Sequence, residues 1–246
     1  MWSINTCRSR HAARFDFCLH LRLMENPFEA GQVLLINKPL HWTSADVVKK
    51  IRNLVHVKVG HAGTLDPLAS GLLILCTGKF TKKISEYMSQ EKEYTGTFTL
   101  GSTTVSYDLE TQPGNFRDFS GITDEGIQEI ANRFTGETMQ VPPAYSAIKK
   151  NGHRAYDLAR QGKTVVLDQR KVTIYAFDMK SGPLPFLDFR VVCSTGTYIR
   201  SLAQDVGEAL GCGAHLSKLC RTRIGSYLLE DALTMEEAAE KFKMDS

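Results

Sequence analysis

The longest uninterrupted apolar run in the chain, Gly71 to Cys76, constrains the fold more than any other feature. It has the length of a buried strand and falls far short of the ~18 residues that a membrane span needs. A strand of that kind requires a core around it. With 246 residues and 42% hydrophobic content, the chain can build one large core, or one large and one small. The 23% charged content is ordinary for a soluble globular protein.

A glycine-punctuated loop leads directly into this run: Gly60-His61-Ala62-Gly63-Thr64-Leu65-Asp66-Pro67-Leu68-Ala69-Ser70-Gly71-Leu72-Leu73. Pro67 restricts Asp66 to extended backbone and supplies no amide hydrogen, while Leu65 and Leu68 bring apolar surface close to the carboxylate. An ionised Asp in that setting needs a cationic or hydrogen-bonding partner, because desolvation otherwise neutralises it. The loop therefore reads as a reactive site with a partner elsewhere in the chain.

Around it, Val33 to Ile36 predicts a strand, and Ser44 is placed to cap a helix whose Val47, Val48, Ile51, Leu54 and Val55 follow helical spacing. Thr81 to Ser89 is predicted helical. Tyr94 to Leu100 alternates as a half-buried strand with Tyr94, Gly96, Phe98 and Leu100 on one face. Ser102 to Gly121 reads as a loop, with Thr123 capping a helix to about Arg133. The prolines in Val141 to Ala147 predict an extended or edge segment before a basic turn at Lys149, Lys150 and Arg154. Strands are expected at Thr164 to Leu167, Lys171 to Phe177 and Phe186 to Cys193. A helix is expected from Thr197 to Leu210, stopped by Gly211, and Thr234 with Glu237 forms a capping box for the last helix. Strands and helices mix without regular βαβ alternation, which predicts an α+β fold with a largely antiparallel mixed sheet.

Residues 1 to 23 carry all of the formal +3 charge and lack the periodicity of a core element. They are expected to be a non-native or disordered extension, with Met24 as the true initiator and 24–246 as one catalytic domain. The remainder is neutral, so any surface for a polyanion is a local patch. No Cys-x-x-Cys pair occurs, and Cys212, His215 and Cys220 match no zinc spacing, which predicts no metal and a reducing, cytoplasmic setting. Dinucleotide-fold, phosphate-loop and zinc-protease signatures are absent. One carboxylate in a distinctive loop, rather than two, argues against a glycosidase and for a nucleophile.

Several ordered blocks resemble the TruB family of tRNA pseudouridine synthases: Leu35-Ile36-Asn37-Lys38-Pro39, the Asp66 loop, Lys92-Glu93-Tyr94, Gln140-Val141-Pro142-Pro143-Ala144-Tyr145-Ser146-Ala147, Gly196-Thr197-Tyr198-Ile199-Arg200 and Gly211-Cys212-Gly213-Ala214-His215-Leu216. The resemblance implies a pseudouridine synthase fold and isomerisation of uridine 55 in the T-loop of tRNA, without cofactor or metal. It implies that Asp66 is the nucleophile, attacking ribose C1′ or base C6, that Arg200 pairs with it, and that Tyr94 stacks on the base near the proton leaving carbon 5. Periodicity alone also allows Tyr94 to be a plain strand anchor.

The same resemblance places His61 near a flipped nucleotide and Tyr198 and Leu219 along the uridine pocket, Leu219 having a core role as its rival. Lys38, Lys149, Lys150, Arg154, Lys218, Arg221 and Arg223 are candidate phosphate contacts. The expected partner is the tRNA T-arm, met by a monomer without membrane, guide RNA or obligate protein partner. Two departures stand out. Of the family's acidic pair in a Thr-Asp-Thr-x-x-Asp segment, only Asp108 is kept, in Thr104-Val105-Ser106-Tyr107-Asp108, and no room is left after Arg223 for a C-terminal PUA domain. The competing readings are a guide-RNA-dependent synthase subunit, a non-catalytic tRNA-binding or tRNA-folding module, and a nucleoside hydrolase.

Overall fold

A computed structural model describes residues 26–150 and 152–244. Its centre is a nine-stranded sheet built on β1 (Val33–Lys38), β3 (Ala69–Thr77), β10 (Ala214–Ile224), β4 (Lys92–Leu100), β9 (Phe186–Cys193), β8 (Arg170–Ser181) and β5 (Gly136–Gln140), in that spatial order. The short strands β2 (Val59–His61) and β11 (Tyr227–Leu228) pair with β3 and β10. Every pairing in this sheet is antiparallel except β3 with β10, where Leu219, Cys220 and Arg221 run parallel to Ala69, Ser70 and Gly71. The fold is α+β with a mixed, mostly antiparallel sheet, in agreement with the sequence reading.

The apolar run lies in β3, and both of its faces are covered. Leu73 and Leu75 join the cluster under α2 (Ser44–Val55) and α7 (Met235–Met244), while Leu72 and Ile74 join Ala62 and Ile224 on the opposite face. All four are fully buried, each contributing roughly 1.5–3 kcal/mol of burial. The larger cluster lies under α4 (Asp124–Phe134) and α6 (Ile199–Ala209). It gathers Phe98, Leu100 and Tyr94 from β4 with Leu202, Ala203 and Val206 from α6.

Before α2 comes the one-turn α1 (Pro27–Ala30); α3 (Ile84–Met88) follows a 3₁₀ turn at Gly78–Lys83, so the helix expected over Thr81 to Ser89 is split. Thr43, not Ser44, caps α2. Thr43 Oγ1 accepts from Asp46 N and Asp46 Oδ2 accepts from Thr43 N, each at 3.0 Å. The Thr234/Glu237 box forms as expected. Lys149–Lys150 (β6) and His153–Arg154 (β7) pair as a small separate ribbon before α5 (Ala155–Arg160). No strand forms at Thr164 to Leu167, and the edge or extended segment expected over Val141 to Ala147 is unpaired and bends from Ala144 to Ala147. The expectation for residues 1 to 23 lies outside the described residues.

Candidate active site

Asp66 sits between β2 and β3 in a loop held at several points. Ser44 Oγ, fully buried in the first turn of α2, accepts from Leu65 N at 2.9 Å and donates to Leu65 O at 3.1 Å. His41 N donates to Pro67 O and Ala69 N to Asp66 O. From the sheet, Arg221 donates to Leu72 O at 2.8 Å and Gly63 O at 3.1 Å, tying down both flanks of the loop. The Asp66 side chain is 39% exposed and lines a cavity of about 690 Å³ whose wall includes Leu68, Gly96, Phe189, Lys218 and Leu219.

The partner that the apolar loop required is Arg200, which comes from the first turn of α6. Its Nε lies 2.9 Å from Asp66 Oδ2 and its Nη2 donates to Asp66 Oδ1 at 3.3 Å. The same guanidinium donates to Tyr145 O and Ser106 O. Asp108 Oδ2 lies 3.7 Å from Arg200 Nε, so two carboxylates share one cation. A cation in the first turn opposes the helix macrodipole, and this ring of acceptors offsets the conflict. Burial pushes the Asp66 carboxyl above the ordinary aspartate value. Arg200 pulls it down, Asp108 and Glu110 push it up, and the net direction is upward.

Tyr94 is 9% exposed and lies in register with Arg221 across the β4–β10 ladder. Burial raises its phenol, and the charge and hydrogen bond of Arg221 oppose that rise. His61, at the end of β2, is half-buried with Nδ1 lacking a hydrogen-bond partner. Burial, and then Arg221, lower its pKa and favour the neutral ring. Leu219 faces the cavity from β10 while also packing on the large core. Tyr198 caps α6 with its backbone held by Gln140, and its ring lies 4.3 Å beneath the Arg170 guanidinium, outside the lining of the Asp66 cavity.

The candidate phosphate contacts separate. Lys218 is exposed at the cavity wall, beside a register shift in β10 that re-aims the strand. Arg223 is occupied by Glu91 and Glu93. Lys149, Lys150 and Arg154 share the β6–β7 ribbon. Two expectations are corrected. Lys38 is fully buried, its Nζ donating to Pro39 O and Trp42 O, and Arg221 is 1% exposed with carbonyl partners, so neither presents its charge to solvent.

Sequence reasoning missed Ser44 as the clamp on Leu65, and noted Asp108 without linking it to Arg200. A buried serine beside a competent cap carries no sequence signal for such a role. Among the described residues, no three His, Cys, Asp or Glu side chains form a metal-ligating group, and no helix is long and apolar enough to cross a membrane.

Residues 49–199 match the family model described as TruB family pseudouridylate synthase (N terminal domain), and 200–245 match that of the tRNA pseudouridylate synthase B C-terminal domain. A protein of Flavobacterium johnsoniae named tRNA pseudouridine synthase B is 53% identical over 82% of this chain and 92% of its own length. One of the same name from Phocaeicola vulgatus is 49% identical over 87% and 94%. The structure of a Cbf5-Nop10-Gar1 complex contains a chain that superposes with TM-score 0.68 at 28% identity, covering 89% of this chain. The match spans 59% of that longer protein.

Proposed function

The chain belongs to the TruB family of pseudouridylate synthases, and on that premise we propose that it isomerises uridine 55 in the T-loop of tRNA, with Asp66 as the nucleophile. The name carried by the Flavobacterium and Phocaeicola relatives supports tRNA as the substrate. The observation that carries the reading is the Asp66–Arg200 pair, a carboxylate kept partly open to a cavity by a guanidinium that is itself buried.

In this reading the target nucleotide leaves its stack and enters the Asp66 cavity. An Asp66 carboxylate oxygen bonds to ribose C1′ or to base C6, and the bond between C1′ and N1 breaks. The base turns, C5 bonds to C1′, and the Asp66 bond is released. A proton leaves C5 and another is taken up at N1, so atoms and electrons balance without redox change. In this reading Arg200 holds Asp66 ionised and oriented, and Tyr94 takes the C5 proton. Lys218, at the cavity wall, serves as a phosphate contact.

The test is to incubate the purified protein alone with unmodified tRNA transcript and map pseudouridine by carbodiimide treatment and primer extension, beside Asp66→Asn. Modification at position 55 by wild type only, without guide RNA, is the expected result. Binding without modification would instead identify a tRNA-binding module, and free uracil a hydrolase.

A further inference from the structure

Arg221 is the largest fully buried side chain among the described residues, and none of the ion pairs among them includes it. Its guanidinium donates to the neutral Leu72 and Gly63 carbonyls, and Tyr94 stands opposite it across the β4–β10 ladder. An unpaired buried guanidinium is costly, and its field acts on whatever lies near. Lys38 on β1 and Lys92 on β4 are both drawn down to about 8, by burial first and with Arg221 contributing. His61 on β2 is also lowered, by burial and then Arg221. The acidic groups facing Tyr94 are Asp66, which is paired with Arg200, and the Cys193 thiol on β9, which burial pushes up to about 11. The Tyr94 oxygen is the group opposite Arg221 on which that charge acts to favour the ionised form, against burial, which raises the phenol overall.

We propose that Arg221 is a positioning residue for Tyr94: its guanidinium ties the Asp66 loop to the Tyr94 strand and stabilises the phenolate that receives the C5 proton. This rests on the reading of Asp66 and Tyr94 as reacting groups. In the step concerned, the phenol first gives its proton to water. The C5–H bond then breaks, its proton passes to the phenolate oxygen, and its electron pair restores the C5=C6 double bond. The displaced C6=N1 pair moves to N1, which takes a proton from water. Arg221 touches neither base nor sugar in this scheme. It holds the acceptor oxygen opposite it in the ladder and keeps the loop that carries Asp66 at a fixed distance.

The experiment compares single-turnover pseudouridine formation on tRNA transcript from pH 6 to 9 for wild type, Tyr94→Phe, Arg221→Gln and the double variant, with tRNA affinity measured alongside. Arg221→Gln should lose about 100-fold in rate at pH 7 while keeping affinity within about threefold, the range expected of an impaired proton acceptor. In both wild type and Arg221→Gln the rate should rise with pH across this range, and that rise should vanish in the Tyr94→Phe background, where the double variant reacts no more slowly than Tyr94→Phe. Reading the rise against that background separates Tyr94 from Lys38 and Lys92, whose titration near 8 falls within the scanned pH range.

A loss that multiplies with that of Tyr94→Phe overturns the proposal and leaves a merely structural Arg221. Wild type that forms no pseudouridine, or Tyr94→Phe at the wild-type rate, overturns the underlying reading and this proposal with it. Should Arg221→Gln fail to fold, Arg221→Lys in the same double-variant comparison at pH 7 decides: non-additive loss supports the role and multiplicative loss overturns it.

Discussion

At the residue scale, the proposed chemistry turns on how Asp66 is kept charged in a setting that disfavours charge. Removing Arg200 takes away the groups that pull the Asp66 carboxyl down and leaves burial, Asp108 and Glu110 pushing it up. Arg200→Ala should therefore lower the single-turnover rate at pH 7 by about 10³, equivalent to roughly 4 kcal/mol, with a much smaller change in tRNA affinity. The sign of the pH effect follows. In the proposed mechanism the working form is the carboxylate, so activity should fall as pH drops through the Asp66 pKa, and the acid limb should move to higher pH in the variant. A limb that stays in place would contradict the assigned pairing. Ser44→Ala strands the buried Leu65 N–H and C=O, at a cost of about 1–3 kcal/mol. It should reduce kcat about tenfold or more with KM little changed, since a shift of the proposed nucleophile costs reactivity before binding. Asp66 was legible from its loop, and Arg200 only through ordered family blocks, because a residue so far along the chain gives no local clue. Arg221 and Lys38 were misplaced on the surface because a buried cation and a solvated one are the same letter.

At the element scale, β3 was legible because both of its faces are apolar, and that pattern has no other low-cost home. The segment Thr164 to Leu167 has comparable β propensity yet forms no strand. The next strand in the chain, β8, takes its partners from β5 and β9 instead, so propensity without a partner strand leaves this segment unpaired. The cap of α2 was misassigned by one residue because Thr43 and Ser44 both have capping chemistry, and the deciding feature is tertiary: Ser44 is committed to Leu65. Thr43→Ala should cost about 1 kcal/mol in a denaturant titration, with the rate of modification nearly unchanged, because Ser44 keeps its contact. A comparable loss of activity and stability would mean that the cap and the clamp act as one unit.

At the scale of the whole molecule, buried cations make stability depend on pH in an uncommon direction. Lys38 and Lys92 titrate near 8 in the fold against 10.5 in the unfolded chain. Below pH 8 both states are protonated and the fold carries the full cost. Between about pH 8 and 9 the unfolded state binds more protons, so stability rises with pH. Above 9 the thiols of Cys76 and Cys193, held near 11 by burial, begin to act in the opposite sense. The urea midpoint should therefore increase from pH 7.5 to 9, and Lys38→Met should remove part of that increase. The parallel pairing of β3 with β10 has a different consequence, for how the chain can be divided. It joins Gly71 to Arg221 at the middle of the sheet, and β10 is also the partner that seats Tyr94. A fragment ending at residue 199 would present two open sheet edges where one strand belongs, and would lack Arg200 and Arg221. In the proposed mechanism neither piece alone carries a complete site, and the protein is a candidate for a split enzyme whose two pieces are inert apart.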